Sequence, residues 1–456
     1  MDRFDLVIHA PRAITPDGEV ARTIAVREGR IAAVEPQGVQ VSGTQHMDLS
    51  DDVVLLPGLV DSHVHICEPG NTEWEGFACA TRAAAAGGIT TLVDMPLDSI
   101  PTTVTVPALE AKRDAACDQC FTDVGFWAGV VPVNGKERKP LVDAGVCGFK
   151  CFLVDSGSPD FPPVSTLEME DALVVARDCG VPLLVHAESE EVVSRIETVH
   201  SRRYRDYLAT RPRGSENLAV AQVIEAARRT GGHAHIVHLS SADVLRMIAS
   251  AQREGVHVTA EVCPHYLTFS AEEIPDGATP FKCSPPIREA VNRDRLWKGL
   301  EQGVLDLVVS DHSPCTAAMK EMESGDFGSA WAGVTSLQLS LPAVWTQASR
   351  RGLSLTQVAV LMGERPARLA GLPRKGRISV GCDADFCVFA PDETFEVDPA
   401  HLHHRHPVTP YAGRTLRGVV RTTLLRGDVI DSENPRGRLL TREHSVQEPM
   451  LEGHSG

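Results

Sequence analysis

The sequence predicts an α/β protein built on a (β/α)8 TIM-like barrel, with a small β-sandwich domain formed by the two chain ends. Three observations predict it. Short β-branched runs recur through the middle of the chain, Ala/Leu-rich stretches long enough for crossover helices separate them, and both ends read as short strands with turns. The eight runs are VVLLPGLVDSHVH (53–65), GITTLVDM (88–95), TDVGFWAGV (122–130), VCGFKCFL (146–153), VPLLVHAE (181–188), HAHIVHLS (233–240), HVTAEVCPHY (257–266) and LDLVVSDH (305–312). Several are nearly continuous in apolar residues, as expected of parallel strands covered on both faces. EWEGFACATRAAAA and SADVLRMIASAQR carry apolar residues at helical spacing, a pattern that signals core packing. The small β domain is expected over 1–54 and 375–456, flanking the barrel of 55–374. Its halves should fold together, since either alone would be a marginal sheet with unpaired edges.

At 456 residues, 43% hydrophobic and 23% charged, the chain has the composition of a large globular protein with no low-complexity tract. Its 61 acidic residues against 44 basic ones give a formal charge of −17, which repels phosphate backbones and anionic membrane surfaces. Neither nucleic acid nor a membrane is expected as a partner. The start, MDRFDLVIHA, reads as neither a signal peptide nor a membrane span, so a cytoplasmic location is expected. The twelve cysteines are scattered through apolar segments and read as reduced thiols. Cys117 and Cys120 form a lone CxxC without a second pair, and read as incidental helix cysteines rather than a structural zinc site.

The chemistry gathers at the carboxyl ends of the expected strands, the face on which barrel enzymes place their active sites. His63 and His65 stand two apart, so a strand points both imidazoles to one side. His186, His238 and Asp311 fall at the ends of the fifth, sixth and eighth runs. A single such histidine is more often a hydrogen-bonded core residue. Convergence from separate strands favours a site of borderline to hard ligands suited to Zn, Mn, Co or Fe.

Lys150 lies in the middle of the apolar run VCGFKCFL, where a lysine must lose its charge, find a partner, snorkel out or be chemically modified. Reaction with carbon dioxide would give a carbamate, an anionic two-oxygen ligand able to bridge two cations. Two metals about 3.5–4 Å apart would share a hydroxide and polarise a carbonyl. Asp311 would then act as general base towards that hydroxide and as general acid towards the departing amide nitrogen.

DSHVHICEPG, GFKCFL, HAESE, HLSSA, KCSPPIR and SDHSPC, with GRISVGCDADF near the end, resemble the cyclic amidohydrolases. That group contains dihydroorotases, hydantoinases or dihydropyrimidinases, and allantoinases, and its binuclear metal site is bridged by a carboxylated lysine. The resemblance implies metal ligation by His63, His65, Lys150, His186, His238 and Asp311, with Lys150 as N6-carboxylysine. It implies two divalent ions, zinc first with Co, Mn or Fe as alternatives, and a homotetramer.

Within the group, Cys67 stands where dihydroorotases carry an arginine for the substrate carboxylate, and a thiol cannot replace that bidentate grip. Asp155 stands where dihydropyrimidinases carry a tyrosine. CEPGNTEWEGF, GFKCFLVDSGSPDFP and HHRHPVTPYAGRTLRG resemble the allantoinase branch, which implies hydrolysis of allantoin to allantoate. The resemblance also points to substrate contact at Ser284 and around Gly333, near Cys283 and Cys315. The alternatives are a hydantoinase-like imide hydrolase and a non-catalytic scaffold protein. Serine chemistry at Ser310 is disfavoured because no G-x-S-x-G elbow is present and neighbouring strand residues face opposite ways, while His265 and His312 are expected near the site as orienting residues.

Overall fold

A computed structural model of the chain describes residues 3–443. The first part of the chain forms β1 (Phe4–Thr15), β2 (Gly18–Arg27), β3 (Arg30–Pro36), β4 (Gly43–Asp48) and β5 (Val54–Pro57). The middle adds β6 (Leu59–Val64), β7 (Ile89–Asp94), β8 (Asp123–Phe126), β9 (Ala128–Gly129), β10 (Phe149–Phe152), β11 (Leu183–His186), β12 (Ala234–Ile236), β13 (Val258–Val262) and β14 (Leu307–Val308). Near the other end come β15 (Phe386–Glu396), β16 (Thr415–Leu425) and β17 (Asp428–Val429).

The two ends of the chain share one mixed sheet in the order β17-β16-β15-β5-β1-β2-β3, with β4 paired to β1. β5 makes the join, antiparallel to β15 and parallel to β1. A two-residue turn at Glu28–Gly29, both with positive φ, links β2 to β3 in the way right-handed strand twist favours. Ile8, Ile24, Leu55, Phe386 and Leu424 pack together in a core of their own beside this sheet.

The middle strands are parallel throughout, β6-β7-β8 in one ladder and β9 to β14 in another. β6, β7, β8, β10 and β11 are buried at every residue, which explains their unbroken apolar sequence. Trp127 separates β8 from β9, and its indole N–H donates to the Ser62 carbonyl at 2.9 Å. At the other margin Val64 forms a parallel bridge with His312, and the His65 N–H donates to the His312 carbonyl at 2.8 Å. Helices lie between the strands. In the helix Arg213–Thr230, Ala219, Val220, Val223, Ile224 and Ala227 form one buried stripe, and Gly231 ends it in a left-handed conformation. No helix among the described residues is long and apolar enough to cross a membrane.

Several details differ from the sequence reading: the run 122–130 is divided at Trp127, and the runs 233–240 and 305–312 leave the ladder after Ile236 and Val308. The run 53–65 is two strands: the chain changes sheets at Gly58, where an added Cβ would lie 2.3 Å from Thr90 Oγ1. The run 257–266 stops being a strand at Val262, because Pro264 has no N–H for a ladder and begins a short helix, Pro264–Thr268. Cys117 caps the helix Val106–Ala116 and Cys120 lies past its end, so neither is inside a helix, and all twelve cysteines are free.

A buried ion cluster ties the end sheet to the parallel strands. The Lys375 ammonium lies 2.6 Å from Asp123 and 2.7 Å from Asp385, and the Arg426 guanidinium reaches Asp123 at 2.7 Å. Asp123, Asp383 and Asp385 come close enough together to suggest a cation site, but Lys375 already supplies the cation. Replacing Lys375 by Met should strand buried carboxylates and cost about 3–5 kcal/mol. Urea unfolding of the variant measures this, and a loss below about 1 kcal/mol would show that the cluster is not a structural tie.

Candidate metal centre

Each candidate ligand is delivered by a strand or by the turn just after it. His63 lies on β6 and His65 directly follows it, Lys150 is the second residue of β10, and His186 is the last of β11. His238 and Asp311 lie beyond β12 and β14 rather than on them. There the backbone leaves the ladder in left-handed conformations, φ 38° at His238 and 46° at Asp311, which cost a non-glycine residue about 1–3 kcal/mol and cluster at functional sites.

All six residues line one cavity of about 460 Å³. His63 Nε2 is 3.2 Å from Asp311 Oδ1, and His65 Nε2 is 3.6 Å from the same oxygen. His63, His238 and Asp311 can each offer a ligand atom within 4.8 Å of the others. The ring of His238 lies 5.4 Å from that of His63 and 4.5 Å from that of His186. Phe152 stacks on His186 at 4.5 Å, and Lys150 Nζ lies 4.9 Å from the same phenyl ring.

Carboxylates sit behind three of the imidazoles. His63 Nδ1 donates to Glu261 at 2.5 Å, His186 Nε2 to Glu188 at 2.8 Å, and His65 Nδ1 lies 2.8 Å from Asp98. Burial opposes the charge of Glu261, and His63 and His235 more than offset it, bringing its carboxyl to about 2. Burial likewise opposes the charge of Asp311, and the surrounding imidazoles of His63, His65 and His238 hold its carboxyl far below the ordinary range. Burial pushes His63, His186 and His238 below the usual histidine value, towards the neutral form that ligates metal. At His65 burial is outweighed by the hydrogen bonds to Asp311 and Asp98, which raise the imidazole to about 9. His238 Nδ1 is buried without a hydrogen-bond partner. Four imidazoles, an ionised carboxylate and a buried amine around one cavity form a donor set that fits divalent transition metals.

Ser284 and Gly333 line the same cavity. The Ser284 hydroxyl is within 2.9 Å of the Tyr207 hydroxyl. Gly333 gives its N–H to the Lys282 carbonyl, and its own carbonyl accepts from the Lys320 ammonium, which leaves that carbonyl's second lone pair for a ligand. Cys283 lines the cavity, whereas Cys315 is buried away from it. His312 Nδ1 accepts from the N–H groups of Ser336 and Leu337, an orienting contact. His265 is buried near Asp311 with neither ring nitrogen hydrogen-bonded. Ser310 uses its hydroxyl on the His63 carbonyl and the His312 N–H, which leaves no role for it as a nucleophile.

Sequence reasoning missed Glu261, Asp98, Glu188 and Asp61, and also Lys282 and Lys320, whose ammonium groups hold the carbonyls of the 328–333 loop behind the cavity. Glu261 had the same signal as Lys150, a charge inside an apolar strand, in HVTAEV. Asp61 accepts from the N–H groups of His63 and Ser310, which links the first run to the last, and burial raises its carboxyl to about 7.

Residues 54–430 match the family model described as the amidohydrolase family. The chain belongs to the amidohydrolase family. A Streptomyces avermitilis protein named allantoinase is 53% identical over 97% of this chain and 100% of its own length. The allantoinase of Arabidopsis thaliana is 44% identical over 93% of this chain and 88% of its own. Among solved structures, the L-hydantoinase (dihydropyrimidinase) from Arthrobacter aurescens matches with a TM-score of 0.91 at 31% identity, covering 96% of this chain and all of that one. The dihydropyrimidinase from Brevibacillus agri matches with a TM-score of 0.86 at 26% identity, covering 96% and 98%. Membership of the amidohydrolase family implies a binuclear metal centre, and the donor set described above is the place for it.

In this amidohydrolase burial lowers the Lys150 amine to about 8, against the opposing pull of Glu261 and Asp311. In the unfolded chain a lysine titrates near ~10.4. Between these values the unfolded state binds the extra proton, so the metal-free fold gains stability as pH rises. Without bicarbonate or metal, urea midpoints taken at about pH 7.5 and 9.5 should show the wild type gaining about 2 kcal/mol more than Lys150→Met. Equal gains in the two proteins would mean that Lys150 keeps its proton when buried.

Proposed function

We propose that this amidohydrolase opens the ring amide of allantoin to give allantoate. The observation that supports it most is the coincidence of six metal-ligating side chains on one cavity with 53% identity to a protein named allantoinase. The eight parallel runs are read as a closed (β/α)8 barrel of 55–374 with a small β-sandwich domain from 1–54 and 375–456, which puts every ligand at the barrel mouth. His63, His65, His186, His238 and Asp311 would hold two divalent ions, zinc by preference, with Lys150 as the carboxylated bridge. When bound, the ions supply Lewis acidity to the substrate carbonyl and make water a better nucleophile.

The chain's own residues do the rest. Asp311, ionised and facing the imidazoles of His63 and His65, accepts the proton of the attacking water and returns it to the departing ring nitrogen. Neutral Lys150 is the form that can add carbon dioxide, and its burial favours that form. Ser284 and Gly333 would hold the ring amide through their main chains at the cavity wall. A cytoplasmic homotetramer is the assembly this reading carries with it.

The choice within the family rests on two positions. Cys67 is buried outside the cavity lining and offers no cation to a carboxylated ring substrate. Asp155 is exposed at the cavity rim and offers a carboxylate rather than a phenol. A hydantoinase-like reading has the structural neighbours in its favour. Turnover of allantoin, hydantoin, dihydrouracil and dihydroorotate should be highest for allantoin; activity on hydantoin alone would overturn the assignment. Metal analysis should find about two divalent ions per chain, and fewer would favour a scaffold role. Asp311→Asn should keep the fold and lower kcat by about 10²–10⁴-fold, and a near-native rate would remove Asp311 as the proton carrier. Lys150→Ala should lose metal and activity, with partial rescue by short carboxylic acids; full activity without them would exclude the bridging carbamate.

A further inference from the structure

Glu261 lies on β13 with its side chain fully buried. It receives three donors. Oε1 accepts from His63 Nδ1 at 2.5 Å and from the main-chain N–H of His238 at 3.2 Å, while Oε2 accepts from His235 Nε2 at 3.0 Å. His235 is itself supported, since its Nδ1 lies 2.7 Å from the hydroxyl of Thr259, which contacts His233 Nε2 at 2.8 Å. His233 stacks on His257 at 3.9 Å. A line of side chains thus runs from the exposed His257, just before β13, through the half-buried His233 to the buried His235, Glu261 and His63.

We propose that Glu261 is a positioning residue of the metal centre, fixing both the ring of His63 and the backbone turn at His238, with His235 fixing Glu261 in turn. The proposal rests on the two-metal reading above. With Nδ1 of His63 engaged, Nε2 is the nitrogen left for an ion, and it is the one that lies 3.2 Å from Asp311. The His238 turn has φ 38°, and its N–H is held by the same carboxylate. One side chain therefore aligns ligands that come from two different strands. Groups behind metal-bound histidines commonly set ring orientation and metal affinity in this way.

Glu261→Gln keeps the size of the side chain but removes its charge and replaces one acceptor oxygen by an NH2, which forces either a lost hydrogen bond or a change of tautomer at His235. Zinc affinity, measured by competition with a chromophoric chelator, should weaken by about 10–100-fold. The absorption spectrum of the cobalt-loaded variant should differ from wild type, while the metal-free variant still unfolds in one cooperative thermal transition. If Glu261→Gln does not fold, His235→Asn decides alone, with about threefold or greater weakening expected. Wild-type zinc affinity and an unchanged cobalt spectrum in the folded variants would overturn the proposal. A wild-type protein that takes up no zinc would instead overturn the two-metal reading, and this proposal with it.

Discussion

Pairing of buried charge is the constraint on which the rest of this structure depends. An isolated ion inside a protein is costly, and a broken buried pair costs more than an intact one contributes. The chain meets this constraint repeatedly. Lys112 donates to Asp94 at 2.6 Å, and Asp94 also accepts the N–H of Ile66, which fixes the segment after His65. Arg288 grips Glu216, whose other oxygen accepts the N–H groups of Ser240 and Ser241 just past His238. Arg211 at 2.5 Å from Glu188 holds the carboxylate behind His186. Each pair anchors a strand end next to a ligand, so the residues that neutralise burial also aim the donor set.

The fold was largely legible in the sequence because parallel strands covered on both faces leave continuous apolar runs. The break at Gly58 was passed over although Pro57-Gly58 is a turn signal inside the run; the pairings show it, β5 with β1 and β15 but β6 with β7. The candidate ligands stood out because histidines and a lysine inside such runs are anomalous. Their supporting carboxylates were harder to find. Asp98 and Glu188 lie in loops, where a charge carries no signal, and their partners come from contacts that no spacing along the chain encodes.

The left-handed turns at His238 and Asp311 were equally hidden. Neither residue is glycine, so positive φ is uncommon at both, although histidine and aspartate adopt it more readily than most side chains. Tertiary contacts override that propensity: Glu261 bonds the N–H of His238, and the bridge from Val64 to His312 pins the chain beside Asp311. Sites of this kind are where local preference and the folded state are expected to disagree.

The two walls of the cavity have different physical bases. Strand ends and paired charges build the metal face. The opposite wall is a loop whose carbonyls are held by two buried ammonium groups. Lys282 donates to Gly328 at 3.1 Å and Ala330 at 2.5 Å, and Lys320 donates to Trp331 at 3.0 Å and also to Gly333. Burial lowers both lysines to about 8, with each other's proximity adding to the effect on Lys282. A wall held by side chains can change shape while the strand ends stay fixed. This fits a chain whose overall fold matches the L-hydantoinase from Arthrobacter aurescens with a TM-score of 0.91 at 31% identity, while its sequence is 53% identical to a protein named allantoinase.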